Sequence, residues 1–374
     1  MDSNKVTVRK FQEADYPKLA DFFIKAYGAN TVFQNIDFLK YYFASRNSQN
    51  DTACLVAVDE DTKQIISHYG GLFFELTLNN RVVPIVWGVN AYTLAEWRGK
   101  GINSKIVDFI HNDNEINAVI GMPFDAPFFY KKLGYHIFSK ETLSRFVYLL
   151  SEKTFEIIKA MPQDLERAKS LIKVHSKTLT ETETFNTVKL DLQNIDKLDL
   201  DFGISDTATT NRSIDFLKWR LLKNPYINYN VWGVVKNNKI LAYIAIREES
   251  LMPQNYKVSR IIDLFGQKKY ISNLLNLAKK EAQNKDHIYL DFSVYGELYT
   301  EELLNSKFDR LDNEDYSLLP QVTSPIENRP NHEFIVIQSK KYSKELQLLH
   351  RHNTYFTRID ADRDRISRIS QIKK

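Results

Sequence analysis

Two stretches of this chain repeat one another. The letters Ile-Asp-Phe-Leu-Lys begin at Ile36, in IDFLKYYF, and again at Ile214, in IDFLKWRL. The copies lie 178 residues apart (214 minus 36), close to half of the 374-residue chain. Five identical letters carry little weight alone, but their surroundings repeat as well. Each copy reads as a helix with its aromatics on one face. Each is followed by a polar turn and a β-rich run, ACLVAVDEDTKQIISHYGGLFFEL after the first and NYNVWGVVKNNKILAYIAIREE after the second. Each run holds two strands around a polar turn, at Asp59-Glu60-Asp61 and Lys236-Asn237-Asn238. The pattern is that of a duplicated α/β unit, which divides the chain into domains 1–150 and 151–374.

Within the first unit the periodicity predicts a strand at Val6–Phe11, helices at Ala14–Tyr27 and Asp37–Arg46, and strands at Ala53–Val58, Ile65–Leu78 and Val82–Leu94. A helix from Gly101 to Asn112, a strand at Ala118–Met122, a helix at Pro127–Leu133 and a closing strand pair from Tyr135 to Leu149 complete it. The second unit repeats this order, with helices at Gln163–Lys177, Ser213–Leu222 and Lys268–Asn284. The end of the chain, from Ser339, is polar and basic, the ordinary pattern of a solvated end unless its basic residues meet a ligand.

Composition narrows the function. Lys and Arg number 51 against 47 Asp and Glu, a net charge of +4. That small excess gives no reason to expect nucleic acid, yet it tolerates an anionic small ligand. The single cysteine, Cys54, rules out an intrachain disulfide framework and Cys-rich zinc sites. It lies in the apolar run ACLVAV and reads as a buried core thiol rather than a nucleophile. The N-terminus lacks an apolar signal region, and no run of about 18 apolar residues is present. The expectation is a cytoplasmic protein with no membrane partner and no metal. Asp360, Asp362 and Asp364 in RIDADRDR have calcium-loop spacing. They lack the glycine at position six and the acid at position twelve, where Gln371 sits, so calcium is not expected.

One corner is chemically informative. The Val82–Leu94 strand leads into Glu96-Trp97-Arg98-Gly99-Lys100-Gly101, and a helix follows. The N–H groups of a first helical turn have no intrahelical partners and, with the helix dipole, form an anion site. Glycines let backbone approach the ligand at φ > 0. Arg98, Lys100 and Lys105 add positive charge, which suits a pyrophosphate. The P-loop pattern is absent, and the dinucleotide fingerprint fails because its third glycine position is Ser104.

This loop resembles the coenzyme-A loop of the GNAT N-acyltransferase superfamily, Gln/Arg-x-x-Gly-x-Gly/Ala. Arg98 and Gly101 match, and Asn103 replaces the last Gly/Ala. A second segment, FDAPFFYKKLGYHIF from Phe124 to Phe138, resembles the Phe-Tyr-x-x-x-Gly-Phe segment of the same superfamily. The resemblance covers residues 5 to about 150. The second half keeps only Gly266 of the loop and is expected to be a GNAT-like domain without acyl-CoA. The implied fold is α/β: two tandem GNAT-like domains, each a mostly antiparallel mixed sheet flanked by helices. The implied co-substrate is acyl-CoA, held by Tyr92, Thr93 and Leu94 at the strand end and by Arg98, Gly99, Lys100, Gly101, Ile102, Asn103 and Ser104.

The resemblance also implies direct attack of an amine on the thioester. The oxyanion would meet a main-chain N–H at a strand bulge near Tyr92–Leu94. Tyr130, at the family's tyrosine position, would protonate the leaving thiolate. The base is less defined, because the central strand VVPIVWGVNAYTL has no Asp, Glu or His. Asn90 stands where a base is expected, and His68, Glu75 and Asp125 are the nearby alternatives. The FLKWRLLKNP helix and the YFTRIDADRDR segment resemble sugar N-acyltransferases that modify nucleotide-linked amino sugars for bacterial surface polysaccharides. The expected acceptor is a dTDP-3-amino-3,6-dideoxyhexose, with acetyl or 3-hydroxybutyryl as the acyl group. Arginines of the basic tail would meet its pyrophosphate. A small-amine acetyltransferase, a tandem aminoacyl-tRNA-dependent transferase and a non-catalytic binding protein of the same fold are the alternatives.

Overall fold

The computed structural model describes residues 5–43, 53–122, 126–138, 143–159, 164–175, 186–251, 255–322, 326–327 and 334–372. The first half contributes β1 Val6–Lys10, α1 Tyr16–Tyr27, α2 Ile36–Tyr42, β2 Leu55–Asp59, β3 Ile65–Leu78 and β4 Arg81–Thr93. It continues with α3 Ile102–Asp113, β5 Asn117–Met122, α4 Ala126–Lys132, β6 His136–Phe138 and β7 Ser144–Leu149. The second half begins with α5 Lys153–Lys159, α6 Leu165–Leu171, β8 Thr187–Lys189, β9 Asp199–Leu200, β10 Ala208–Thr210 and α7 Ile214–Leu217. Then come β11 Asn230–Lys236, β12 Lys239–Leu251, β13 Tyr256–Gly266, α8 Ile271–Asn284, β14 Tyr289–Tyr295 and β15 Asp309–Leu311. A small hairpin (β16 Gln321–Val322, β17 Ile326–Glu327), β18 Phe334–Gln338 and β19 Thr354–Thr357 complete the strands.

The repeated pentapeptide performs one local task twice. Asn35 caps α2 by accepting from the Phe38 N–H at 2.8 Å. Ser213 caps α7 by accepting from the Phe216 N–H at 3.2 Å. In both copies the capping side chain satisfies an orphan donor of the first turn, and Asp37 or Asp215 adds negative charge there. Phe38 and Leu39 are buried in the first copy, Phe216 and Leu217 in the second.

The order of elements after each helix is also shared. The strands β2, β3 and β4 pair antiparallel, and β4 then runs parallel to β5 through Val86–Gly88 and Asn117–Val119. In the second half β11, β12 and β13 pair antiparallel, and β13 runs parallel to β14 through Ser259–Ile261 and Leu290–Phe292. A helix, α3 or α8, makes each parallel crossover. Both parallel pairs part after three residues, leaving a V-shaped opening between the strand ends. Each long hairpin also contains a register shift, between His68 and Gly70 in β3 and between Ala245 and Ile246 in β12.

The closing strand pair expected at Tyr135–Leu149 does not form. The strand β7 leaves the first half and pairs with β14 and β15, while β18 inserts between β5 and β6. Each half therefore completes its sheet with a strand of the other. The cause is the chemistry of β7 and β18: Phe146, Val147, Leu149, Ile335, Val336 and Ile337 are all buried. A strand so apolar needs neighbours on both edges and cover on both faces. A cut at residue 150 thus separates chain segments but not structural units.

The last segment is not a solvated tail. β19 pairs with the end of β14, at Val294 with Thr357 and Tyr295 with Phe356, and so fills the second opening. The Tyr355 hydroxyl donates to the Leu264 carbonyl of β13, which closes the other side. Beyond it, residues 358–366 cross to the first half. Asp360 and Asp364 pair with buried Arg212 and Arg247, at 3.4 and 2.6 Å. The Val32 N–H donates to the Ser367 carbonyl at 2.9 Å, tying the segment to the α1–α2 connection. The helix expected over Gln163–Lys177 is short, with α6 ending at Leu171. No helix among the described residues is long and apolar enough to cross a membrane.

Candidate active site

The first opening, unlike the second, holds no described strand. Beyond Gly88 no described strand pairs with the β5-facing edge of β4, so main-chain donors of that edge are available to a ligand. The expected bulge is present but lies earlier than Tyr92–Leu94. Gly70 faces Val89 and His68 faces Tyr92, so the extra residue falls at Asn90–Ala91. Asn90 adopts φ 51°, a left-handed conformation that asparagine tolerates better than most residues.

The bulge is clamped from β3. The His68 Nδ1 lies 3.2 Å from the Asn90 carbonyl. The Ser67 hydroxyl donates to the Tyr92 carbonyl at 3.1 Å and lies 2.7 Å from the Thr93 hydroxyl. His68 is fully buried, edge-on to Phe23 and Phe43 at 5.0 and 5.4 Å. Burial depresses its pKa to about 4, which the Asn90 carbonyl only partly offsets. The ring is therefore neutral near pH 7 and fixes the bulge from beneath. Between pH 6.5 and 4 the unfolded chain binds a proton on this residue and the folded chain does not. Stability should fall as pH falls through that window, with about 3 kcal/mol due to His68. His68→Gln should flatten the difference in unfolding free energy between pH 7 and 4.5 measured by urea titration; an unchanged slope would contradict this assignment.

The glycine loop has the conformation an anion site requires. Gly99 and Gly101 adopt φ 76° and 72°, and a Cβ at either would meet nothing within 4 Å. Glycine is needed there for backbone conformation, and the surrounding space is open. The helix α3 starts at Ile102, which is buried, so the N–H groups of Ile102, Asn103 and Ser104 point out of its first turn. The Arg98 Nε donates to the Thr93 carbonyl at 3.0 Å, and its guanidinium lies over the Tyr92 ring at 5.0 Å. Lys100 lies over the Trp97 ring at 4.4 Å. Val6, Trp97, Lys100, Ile102 and Lys105 line a hollow at the helix start. Leu94 is buried, and its N–H donates to the Ile66 carbonyl at 3.0 Å, which anchors the strand end beneath the loop.

Tyr130 lies on α4 and is buried with Tyr135, edge-to-face at 5.0 Å, beneath the same sheet face as Tyr69 and Ile106. Burial raises its hydroxyl well above the ordinary value, so it keeps its proton. Gly88 makes room for Tyr69: a Cβ there would come within 1.9 Å of the Tyr69 hydroxyl oxygen. Cys54 is buried and its thiol is pushed up to about 12, which leaves it inert as a nucleophile. Asp125 lies outside the described residues. Glu75 is exposed on β3 and accepts from Asn211 at 2.8 Å.

Two residues that the local sequence did not indicate stand at the opening. The Asn90 Nδ2 donates to the Tyr42 hydroxyl at 3.3 Å, and that hydroxyl donates to the Asp362 Oδ2 at 2.9 Å. Tyr42 and Asp362 are separated by 320 residues. The only available signal was their placement in the repeated IDFLK stretch and in RIDADRDR. Among the described residues no group of His, Cys, Asp and Glu side chains could hold a metal ion.

Residues 7–138 match the family model of the acetyltransferase (GNAT) domain. Solved structures of similar fold include Saccharomyces cerevisiae N-myristoyltransferase with bound myristoyl-CoA. It is 10% identical with a TM-score of 0.53, over 90% of this chain and 82% of that one. A GCN5-related N-acetyltransferase from Kribbella flavida is 10% identical with a TM-score of 0.54, over 91% and 72%. A probable N-acyltransferase from Enterococcus faecalis is 10% identical with a TM-score of 0.56, over 89% and 72%. At such identities the likeness is one of fold. No curated protein matches the chain.

Proposed function

We infer that this chain, with a GNAT acetyltransferase domain over residues 7–138, is an acyl-CoA-dependent N-acyltransferase whose acceptor is a nucleotide-linked amino sugar. The observation that carries the acyl-CoA part is the pairing of one unfilled opening with one glycine loop. Among the described residues no strand pairs with that β4 edge beyond Gly88, and the N–H groups of Ile102, Asn103 and Ser104 follow the end of that strand. Together they offer main-chain donors to a pantetheine arm and to a pyrophosphate. The yeast N-myristoyltransferase of the same fold holds an acyl-CoA.

An acyl thioester is already activated, so an amine can attack it without a covalent enzyme intermediate. The main chain of the Asn90–Ala91 bulge is suited to hold the carbonyl oxygen as charge builds on it. Tyr130, protonated and buried, is assigned the transfer of a proton to the departing sulfur. Tyr130→Phe should lower kcat about 10²-fold or more with the acyl-CoA Kd unchanged, measured by steady-state thiol release and calorimetry. Equal turnover would remove the tyrosine from that role.

The acceptor assignment draws on an aromatic and cationic cluster beside α2 and the segment that carries Asp362. Tyr41 and Tyr226 lie with ring centroids 5.4 Å apart and both are partly exposed. The Arg220 guanidinium, over the Trp219 ring at 5.3 Å, donates to the carbonyls of Ile359 and Ala361. Aromatic faces beside a guanidinium suit a base, a sugar ring and a phosphate. The test is mass analysis after incubation with acetyl-CoA or 3-hydroxybutyryl-CoA and dTDP- or UDP-amino sugars. Acylation of a nucleotide sugar supports the acceptor class. Acylation only of small amines would replace it with a small-amine acceptor while leaving the acyl-CoA chemistry intact.

A further inference from the structure

We propose that Asp362, delivered to the β4 bulge by the C-terminal segment, is the carboxylate that orients the acceptor amine and takes its proton. The assignment rests on the acyltransferase reading of the first opening. Neither strand of that opening brings a carboxylate: β4 has no acid between Val82 and Thr93, and the described part of β5 has none. Asp362 is the carboxylate hydrogen-bonded into the Asn90 network.

Its two oxygens are used unequally. Oδ2 accepts from the Tyr42 hydroxyl at 2.9 Å and from the Arg365 Nε at 3.3 Å. Oδ1 accepts from no described residue, and the side chain keeps 19% exposure. One oxygen is thus fixed by two donors and the other is left for a ligand. Fixing comes from both halves. Tyr42 is on α2, buried, and itself held by Asn90. Arg365 lies over the Phe33 ring at 4.9 Å. The flanking acids cannot substitute, because Asp360 and Asp364 are buried against Arg212 and Arg247.

The chemistry balances without another reactant. A neutral amine donates one N–H to Oδ1, which aims its lone pair at the thioester carbonyl. As the C–N bond forms, the nitrogen becomes positive and acidic, and one proton moves to Oδ1. The C–S electron pair leaves with sulfur, and the sulfur takes up one proton. Asp362 returns its proton to water through its exposed edge. One proton leaves nitrogen and one arrives on sulfur, giving an amide and a free thiol.

The test uses the full chain with Asp362→Asn, which keeps the shape of the side chain, and Asp362→Ala. We expect Asp362→Asn to lower kcat/KM for the acceptor about 10²-fold or more, with the acyl-CoA Kd and the melting temperature unchanged. Added formate should restore part of the turnover of Asp362→Ala, which a purely structural carboxylate would not allow. Wild-type kcat/KM in Asp362→Asn would overturn the assignment. So would a loss matched by weakened acyl-CoA binding, or a failure of formate to restore Asp362→Ala. Absence of thiol release in the wild-type chain with every amine would instead contradict the acyltransferase reading, and this assignment would fall with it.

Discussion

Gly101→Trp should abolish acyl-CoA binding while leaving the fold in place. Gly101 adopts φ 72°, a conformation that costs a bulky residue about 1–2 kcal/mol. Apart from its own chain neighbours, nothing lies within 4 Å of its Cβ position, so the side chain would project into open space instead of clashing with the core. Gly101 is the N-cap of α3, so a large side chain there crowds the start of the helix. Each hydrogen bond from a first-turn N–H to a charged oxygen is worth about 1.5–3 kcal/mol. Loss of two of them raises Kd by about 10²-fold or more. Calorimetry with CoA reads the affinity, and a thermal melt reads the fold. Unchanged affinity in a folded variant would contradict the loop assignment.

A fragment of residues 1–150 should fail to fold alone. It lacks β18, which brings Ile335, Val336 and Ile337, each buried, into the gap between β5 and β6. Burial of each such side chain is worth about 1.5–3 kcal/mol. The three together, at about 4–9 kcal/mol, match a large part of the roughly 5–15 kcal/mol that stabilises a domain. The fragment also exposes β7, whose Phe146, Val147 and Leu149 belong between β14 and β15. Such an uncovered apolar strand promotes aggregation. Circular dichroism and size-exclusion chromatography should show no cooperative melt and no monomer. The full chain should unfold in urea in one transition. A monomeric fragment with a sharp melt would contradict the interdependence of the halves.

Local features were legible in the sequence, and long-range exchange was not. Strand β3 falls at the expected Ile65–Leu78, and the helix after the glycine loop starts one residue beyond Gly101. These follow from periodicity and from glycine's conformational freedom, which are encoded nearby. The duplicated pentapeptide located both capped helices and the repeated order of elements. Strand exchange between halves leaves no local trace, because β7 and β18 carry the same apolar pattern whichever sheet accepts them. RIDADRDR shows why polarity misled for the tail. Asp360, Asp364 and Arg358 are buried against Arg212, Arg247 and Asp291, which lie 148, 117 and 67 residues away in the chain. The loop residues and Tyr130 were read from a motif, whereas Tyr42 and Asp362 become neighbours only in the folded chain.

Acyl transfer at the first opening should depend on the acceptor amine. The most direct test is the rate of free-thiol release from acetyl-CoA and 3-hydroxybutyryl-CoA, with and without a dTDP-amino sugar. Release should be slow without the amine, much faster with it, and not accelerated in Gly101→Trp. Release that is indifferent to the nucleotide sugar and to every other amine, despite measurable CoA binding, would contradict that dependence.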